Sequence, residues 1–237
     1  MKKIVDNLES TKWEVREYCA KLSDWTPTLE HVEAGITDSE YRVRKAWAER
    51  MDFVPTSEQA DRGLTDDAME VRLVWVERMD WTPSPEQVER GRKDAYWQVR
   101  RAWANRMDWT TTSEQADKWL EDAHWQVRFA CAKRMDWTPT PEQVERGLKD
   151  THWQVRVAWA NRMDWTPTPA QVERGLEYTH WQVRIAWVRR MDWTPTPEQV
   201  EIGLNDFDDD VRAAWIERVR REQDRILEDE PFSGASL

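Results

Sequence analysis

Residues 135–162 read MDWTPTPEQVERGLKDTHWQVRVAWANR, and this stretch decides the fold. Its first half carries the signals of a short helix. Thr140 is a good N-cap, Pro141 suits the first helical position, and Gln143 completes a capping box. Val144 and Leu148, four apart, mark a buried face. Gly147 is expected to stop the helix through a left-handed turn. The second half reads as a second helix over roughly 151–162. Val155, Ala158, Trp159 and Arg162 fall at i, i+3, i+4 and i+7, the stripe of an amphipathic helix. Pro167 then ends it, because the residue before a proline, Thr166, is pushed out of the helical region. No segment alternates like a strand.

The stretch recurs. Met-Asp returns at Met51, Met79, Met107, Met135, Met163 and Met191, 28 residues apart each time. A divergent copy, SDWTPTLEHVEAGITDSEYRVRKAWAER, fills 23–50. Seven units follow one another: 23–50, 51–78, 79–106, 107–134, 135–162, 163–190 and 191–218. Residues 1–22 read as a shortened N-terminal capping repeat, because Trp13, Val15 and Arg16 fall 28 before Tyr41, Val43 and Arg44. Residues 219–237 read as a helical extension and a polar tail. A two-turn helix is marginal alone, so such units bury their faces only against neighbours. The expected fold is all-α: a right-handed α-solenoid of seven two-helix repeats plus the shortened unit, forming a single domain.

Composition agrees with that reading. Only 39% of the 237 residues are hydrophobic and 34% are charged, but 18 Trp supply a large apolar payload. No stretch approaches the ~20 apolar residues of a membrane helix. The opening Met1–Asp6 segment is charged where a secretion signal needs an apolar run, so a cytoplasmic protein is expected. The net charge of −11 argues against a general nucleic-acid binder. The acidity lies mostly in the terminal units, and units 79–190 are nearly neutral.

The second helix resembles the HEAT repeats in its Leu-x-Asp, four residues, Val-Arg-x-Ala pattern, here Leu148, Asp150, Val155, Arg156 and Ala158. The Asp–Arg spacing of six recurs as Asp38/Arg44, Asp66/Arg72, Asp94/Arg100, Asp122/Arg128 and Asp206/Arg212. The resemblance implies a ladder of these side chains tying successive units together. It also implies a habit of binding macromolecules, without implying a reaction. The unit is shorter than a typical HEAT repeat, and its Trp-Thr-Pro opening is not a HEAT feature. Tyr178 stands where Arg184 would find its Asp, so a gap in the ladder is expected there.

Three tryptophan columns run through the array. Trp25, Trp81, Trp109, Trp137, Trp165 and Trp193, with Phe53, precede the first helix and read as packing between units. Trp47, Trp75, Trp103, Trp159, Trp187 and Trp215 lie on the apolar stripe and read as core. Cys19 and Cys131 occupy that second column and read as small buried hydrophobes. Unit 107–134 departs twice, with Thr111 for Pro and Trp119 for Gly. A local distortion is expected there.

The third column is Trp97, Trp125, Trp153 and Trp181, with Trp13 in the shortened N-terminal unit. At 100° per residue, Trp153 falls about 160° from Val155, opposite the face that meets the first helix. Val157 lies beside it, and Gln154 lies at the edge. This places Trp97, Gln98, Arg101, Trp125, Gln126, Phe129, Trp153, Gln154, Val157, Trp181, Gln182 and Ile185 on the open, concave surface. Two readings stand. The row is a partner-binding surface, since exposed Trp favours interface hot spots, or each Trp folds between second helices and seals the stack. The run Trp-Gln-Val-Arg occurs only in the central units, while the flanking units have Tyr41, Met69 and Asp209 at that position. Recent duplication of one unit would explain the same fact.

No catalytic constellation and no phosphate loop is legible. His124, His152 and His180 lie one repeat apart, about 9 Å by helix packing, too far to share a metal. They read as structural or rim hydrogen bonders, and no cofactor or metal is expected. Asp206, Asp208, Asp209 and Asp210 suit a helix N-terminus. The expected function is a monomeric, non-enzymatic scaffold binding a protein or peptide along the concave face. The alternatives are base stacking of nucleic acid on the Trp/Gln ladder and acidic mimicry of nucleic acid.

Overall fold

Each first helix is opened by the same two side chains. The hydroxyl of Thr28, Thr56, Ser84, Thr112, Thr140, Thr168 or Thr196 accepts the amide of the residue three on. That residue's side chain accepts the cap's own amide in return. Gln serves in six of these boxes, and His31 Nδ1 serves in the first.

The computed structural model describes residues 7–229, without the side chains of 226–229. The helices described are α1 (Trp13–Lys21), α2 (Leu29–Ile36), α3 (Tyr41–Ala48), α4 (Ser57–Leu64), α5 (Met69–Glu77), α6 (Pro85–Arg92), α7 (Trp97–Asn105), α8 (Ser113–Leu120) and α9 (Trp125–Ala132). They continue as α10 (Pro141–Leu148), α11 (Trp153–Ala160), α12 (Pro169–Leu176), α13 (Trp181–Arg189), α14 (Pro197–Leu204) and α15 (Asp209–Asp229). No strand occurs among the described residues. The architecture is an all-α repeat array of the solenoid class with a 28-residue period.

The chain divides into two compact units, Met1–Asp136 and Trp137–Leu237. In the first, the second helices α1, α3, α5, α7 and α9 pack in succession, and each first helix lies against its own second helix. In the second unit, α11, α13 and α15 pack in succession, with α10, α12 and α14 against them. Helix α15 continues to Asp229, so the extension expected after 218 is helical. Tail residues 230–237 and the opening segment 1–6 lie outside the described residues.

The joints between repeats are made by two arginines. One is buried. Arg78 is only 3% exposed, yet all five of its N–H donors are used. It donates to the carbonyls of Ala48 (2.8 Å) and Arg50 (2.6 Å) in the preceding repeat, to that of Phe53 (2.9 Å) at the start of its own, and to both oxygens of Asp80. Its guanidinium also lies over the Phe53 and Trp75 rings. Arg106 and Arg190 repeat the arrangement with Asp108 and Asp192, and Arg218 uses Glu222 instead. The helix-end carbonyls of one repeat are thus satisfied by the next. Between the paired Arg and Asp sits a methionine that takes no part: Met51, Met79, Met107, Met135, Met163 and Met191 are 37–66% exposed.

The other arginine forms the Asp–Arg ladder, but not with the pairing expected. Arg72 donates bidentately to Asp94, 22 residues ahead, and through Nη1 to the backbone carbonyl of Asp66, six residues behind. Arg16–Asp38, Arg44–Asp66, Arg100–Asp122 and Arg184–Asp206 do the same. The gap left by Tyr178 therefore falls on Arg156, not Arg184. Arg156 lies 4.8 Å over the Tyr178 ring, and the Tyr178 hydroxyl donates to the Leu148 carbonyl.

The glycines also correct an expectation. Among the described residues no glycine has positive φ, and the residues after the first helices have negative φ. Gly147 is there for space: a Cβ would lie 2.1 Å from the Trp159 ring. The same holds for Gly35/Trp47, Gly63/Trp75, Gly91/Trp103, Gly175/Trp187 and Gly203/Trp215. In repeat 107–134 the pair is exchanged, with Trp119 in the glycine slot and Cys131 in the Trp slot, both buried. Trp119 restores the volume that Cys131 gives up. The first helix of this repeat is undistorted: α8 keeps the length and capping box of its neighbours. Thr111, at the proline position, gains an amide that donates to Asp136 at 2.8 Å. Cys19 and Cys131 are buried thiols, and burial pushes the Cys19 pKa up.

Two tests follow from this packing. Trp119→Gly should cost about 3–5 kcal/mol, Cys131→Trp alone should be destabilising by overpacking, and the double variant should recover most of the loss in chemical denaturation. Charge sets the second. Glu89 beside Arg92 and Lys93, and Glu145 beside Lys149 and Arg174, are held at about 2 against an ordinary 4.5. Carboxylates depressed in the folded state stabilise it above their unfolded pKa and lose that effect as they protonate. The melting temperature should hold from pH 7 to about 5 and fall between about 4.5 and 2.

Candidate functional site

The third tryptophan column is neither core nor free surface. Trp97, Trp125, Trp153 and Trp181 are all half-buried. The sequence period explains why. Each stands at the first residue of its second helix, where the histidine that precedes the next repeat's second helix can reach it. Trp97 stacks on His124 at 4.0 Å, and Trp153 stacks on His180 at 4.1 Å. Each of these histidines also lies 6.3 Å from the tryptophan that follows it, so the rings alternate Trp, His, Trp. His180 has its pKa lowered by burial and by nearby Arg156 and Arg184, which favours the neutral ring in the stack. The histidines seal seams between repeats, and this seam partner is what the sequence reading missed.

The ring edges and the next turn of each helix remain on the surface. In the Met1–Asp136 unit, Arg101 lies over the Trp97 ring at 5.7 Å, and Phe129 meets Trp125 edge-on at 6.3 Å. Gln98 and Gln126 are half-buried, and Gln98 Oε1 is shielded without a hydrogen-bond partner.

The Trp137–Leu237 unit gathers more of these residues. Helices α11, α13 and α15 flank a groove of about 760 Å³. Trp153, Val157, Trp181, Gln182 and Ile185 line it, five of the residues singled out from sequence. Ile185 is only 7% exposed and forms its floor, packed in one apolar cluster with Val188, Val211 and Trp215. Gln154 does not line the groove, and its Oε1 is shielded and unpartnered. The opposite bank is α15, with Ala213, Ala214 and Glu217. This bank was not legible from the Trp column, because the last repeat has Asp209 where the four central repeats have Trp.

Charges frame the groove. Arg189 and Met191 stand at the C-terminal ends of its helices, and Asp210 stands at the N-terminal end of α15. Glu217 is held by Arg220 and Arg221, with the Arg221 pair at 2.7 Å. Asp208, expected to suit a helix start, accepts the amides of Asp210 and Val211 at the start of α15. Among the described residues, no group of three His, Cys, Asp or Glu side chains is placed to hold a metal ion. No helix there is long and apolar enough to cross a membrane.

The chain is a helical-repeat protein. No protein-family model matches it, and no curated protein does. Among solved structures it is similar to a leucine-rich repeat variant with a novel repetitive structural motif. The TM-score is 0.66 at 26% identity, over 91% of this chain and 80% of that one.

The stack sets a stability test. Trp159→Ala, at a fully buried position, should cost about 3–5 kcal/mol in denaturation. Trp153→Ala loses only one stacked face and should cost about half as much or less. Equal losses would place the column in the core.

Proposed function

We propose that this chain is a non-catalytic scaffold that binds another protein through the surface of its second helices. One observation carries the reading. Five side chains of the Trp-Gln-Val-Arg repeats converge on one mixed apolar and polar groove, lined by helices packed against one another and against their first helices. A surface built on rigid elements loses little conformational entropy on binding. Half-buried Trp rings and flanking arginine are the side chains that dominate interfaces. The Asp–Arg ladder and its resemblance to HEAT repeats support the same reading, since such arrays present a row of equivalent positions to a partner. The neighbouring carboxylates Asp209, Asp210 and Glu217, with the net charge of −11, disfavour a polyanion such as nucleic acid on this surface.

The test compares faces. Wild type, Val157→Glu on the groove and Glu142→Lys on the first-helix side are used as baits, with folding checked by circular dichroism. A partner should bind wild type and Glu142→Lys and be lost from Val157→Glu, and the purified pair should reproduce this. Retention by Val157→Glu, or loss of all binding on nuclease treatment, would overturn the proposal.

A further inference from the structure

Packing does not explain the methionine inside each Arg-Met-Asp. On one side of it stands the buried joint arginine, on the other the aspartate that accepts from it. In all six repeats Arg Nε donates to Asp Oδ1 at 2.9–3.0 Å, as Arg162 does to Asp164 at 2.9 Å. The side chain between them lies in water: five of the six methionines are 56–66% exposed, and Met191 is 37% exposed. Exposed positions drift between repeats. The one two residues earlier, exposed in the same six repeats, reads Glu49, Glu77, Asn105, Lys133, Asn161 and Arg189. Copying of one unit would leave both positions uniform, yet only the methionine has stayed the same.

Two properties set methionine apart at an exposed place, a flexible apolar surface and an oxidisable thioether. The first is useful in a contiguous patch. Here successive methionines stand one repeat apart, about 9 Å by helix packing, each flanked by an arginine–aspartate pair. The second needs only access to solvent. The other oxidisable groups are withdrawn from it. Cys19 and Cys131 are 1% and 0% exposed, and burial pushes the Cys19 thiol up, away from the reactive thiolate. All 18 Trp are buried or half-buried, and so is Met69, the remaining methionine among the described residues.

We propose that the Arg-Met-Asp methionines are a sacrificial modification site, which takes up two-electron oxidants (hydrogen peroxide or hypochlorous acid) ahead of the cysteines and tryptophans of the core. In each event the thioether gains one oxygen and its sulfur loses two electrons. With peroxide the O–O bond breaks and water leaves. With hypochlorous acid the O–Cl bond breaks, and chloride and a proton leave. The sulfoxide is polar, but it forms on a side chain already in water, and the arginine beside it keeps its carbonyl and carboxylate acceptors. The six positions give the chain a capacity of six oxygen atoms outside its joints.

The experiment titrates the whole chain with up to six equivalents of hypochlorous acid, one for each such methionine. The reaction is quenched with free methionine, and oxidised residues are mapped by mass spectrometry. The six methionines should fill first, with Met69, both cysteines and the tryptophans at about a tenth of their level or less. The denaturation midpoint should not move. A hydrogen peroxide arm should give the same order of sites. In a variant with all six replaced by leucine, the same dose should fall on Met69, Cys131 and the half-buried tryptophans and lower the midpoint. The wild-type map tests the site without this variant. Oxidation of Met69 or Cys131 on a par with the six would overturn the site. Equal core damage in wild type and the leucine variant would overturn the protective role. A midpoint that falls as the six fill would show that the joints depend on the thioethers and would overturn the proposal as well.

Discussion

The joints of this protein depend on a charged side chain in an apolar place. A guanidinium shielded from water is costly unless every donor is satisfied. Arg78 meets that condition with three backbone carbonyls and one bidentate carboxylate. Two of the five acceptors belong to the preceding repeat and two to the aspartate that opens the next, so the group is satisfied only when the repeats are docked in register. Removing one partner of such a pair typically costs about 3–5 kcal/mol. The tryptophans pack around this core of hydrogen bonds: Arg106 lies between the Trp81 and Trp103 rings, which meet each other edge to face.

How much of this could be read from the sequence depends on the kind of interaction. Val155, Ala158 and Trp159 were legible because burial imposes a helical period. Thr140 and Gln143 were legible because a cap needs those side chains at that separation. Arg162 fell on the apolar stripe, but a period does not say what a buried arginine touches. The Asp two residues after it, in Arg-Met-Asp, was the available signal. The ladder pairing was ambiguous for an arithmetical reason. In a 28-residue repeat, an Asp six back and an Asp 22 ahead are the same column. Only the fold chooses between them, and it gives the near Asp's carbonyl and the far Asp's carboxylate to one arginine.

The glycine slot shows a different limit. Gly near a helix end usually signals backbone freedom, but here it answers a steric demand from the ring of Trp159, twelve residues on. The evidence was present in repeat 107–134, where Trp119 and Cys131 change together. The two departures are one exchange of large for small. For the candidate site, the angular position of Trp153 placed it near the surface, and its half-burial against His180 came from a residue read separately. The groove itself needed α15, which lacks the Trp that marked the four central repeats.

Both joint-making arginines reach one repeat and no further. A chain cut at one Arg-Met-Asp and rejoined at another would still give every arginine its acceptors, because each tripeptide presents the same groups to the repeat beside it. Unequal recombination between such points would lengthen or shorten the array by whole units without repacking a core. The exposed methionine inside the tripeptide would travel with each unit. The near-identical central repeats are what such a history would leave behind, and they would give a lineage a way to change the reach of its binding surface one repeat at a time.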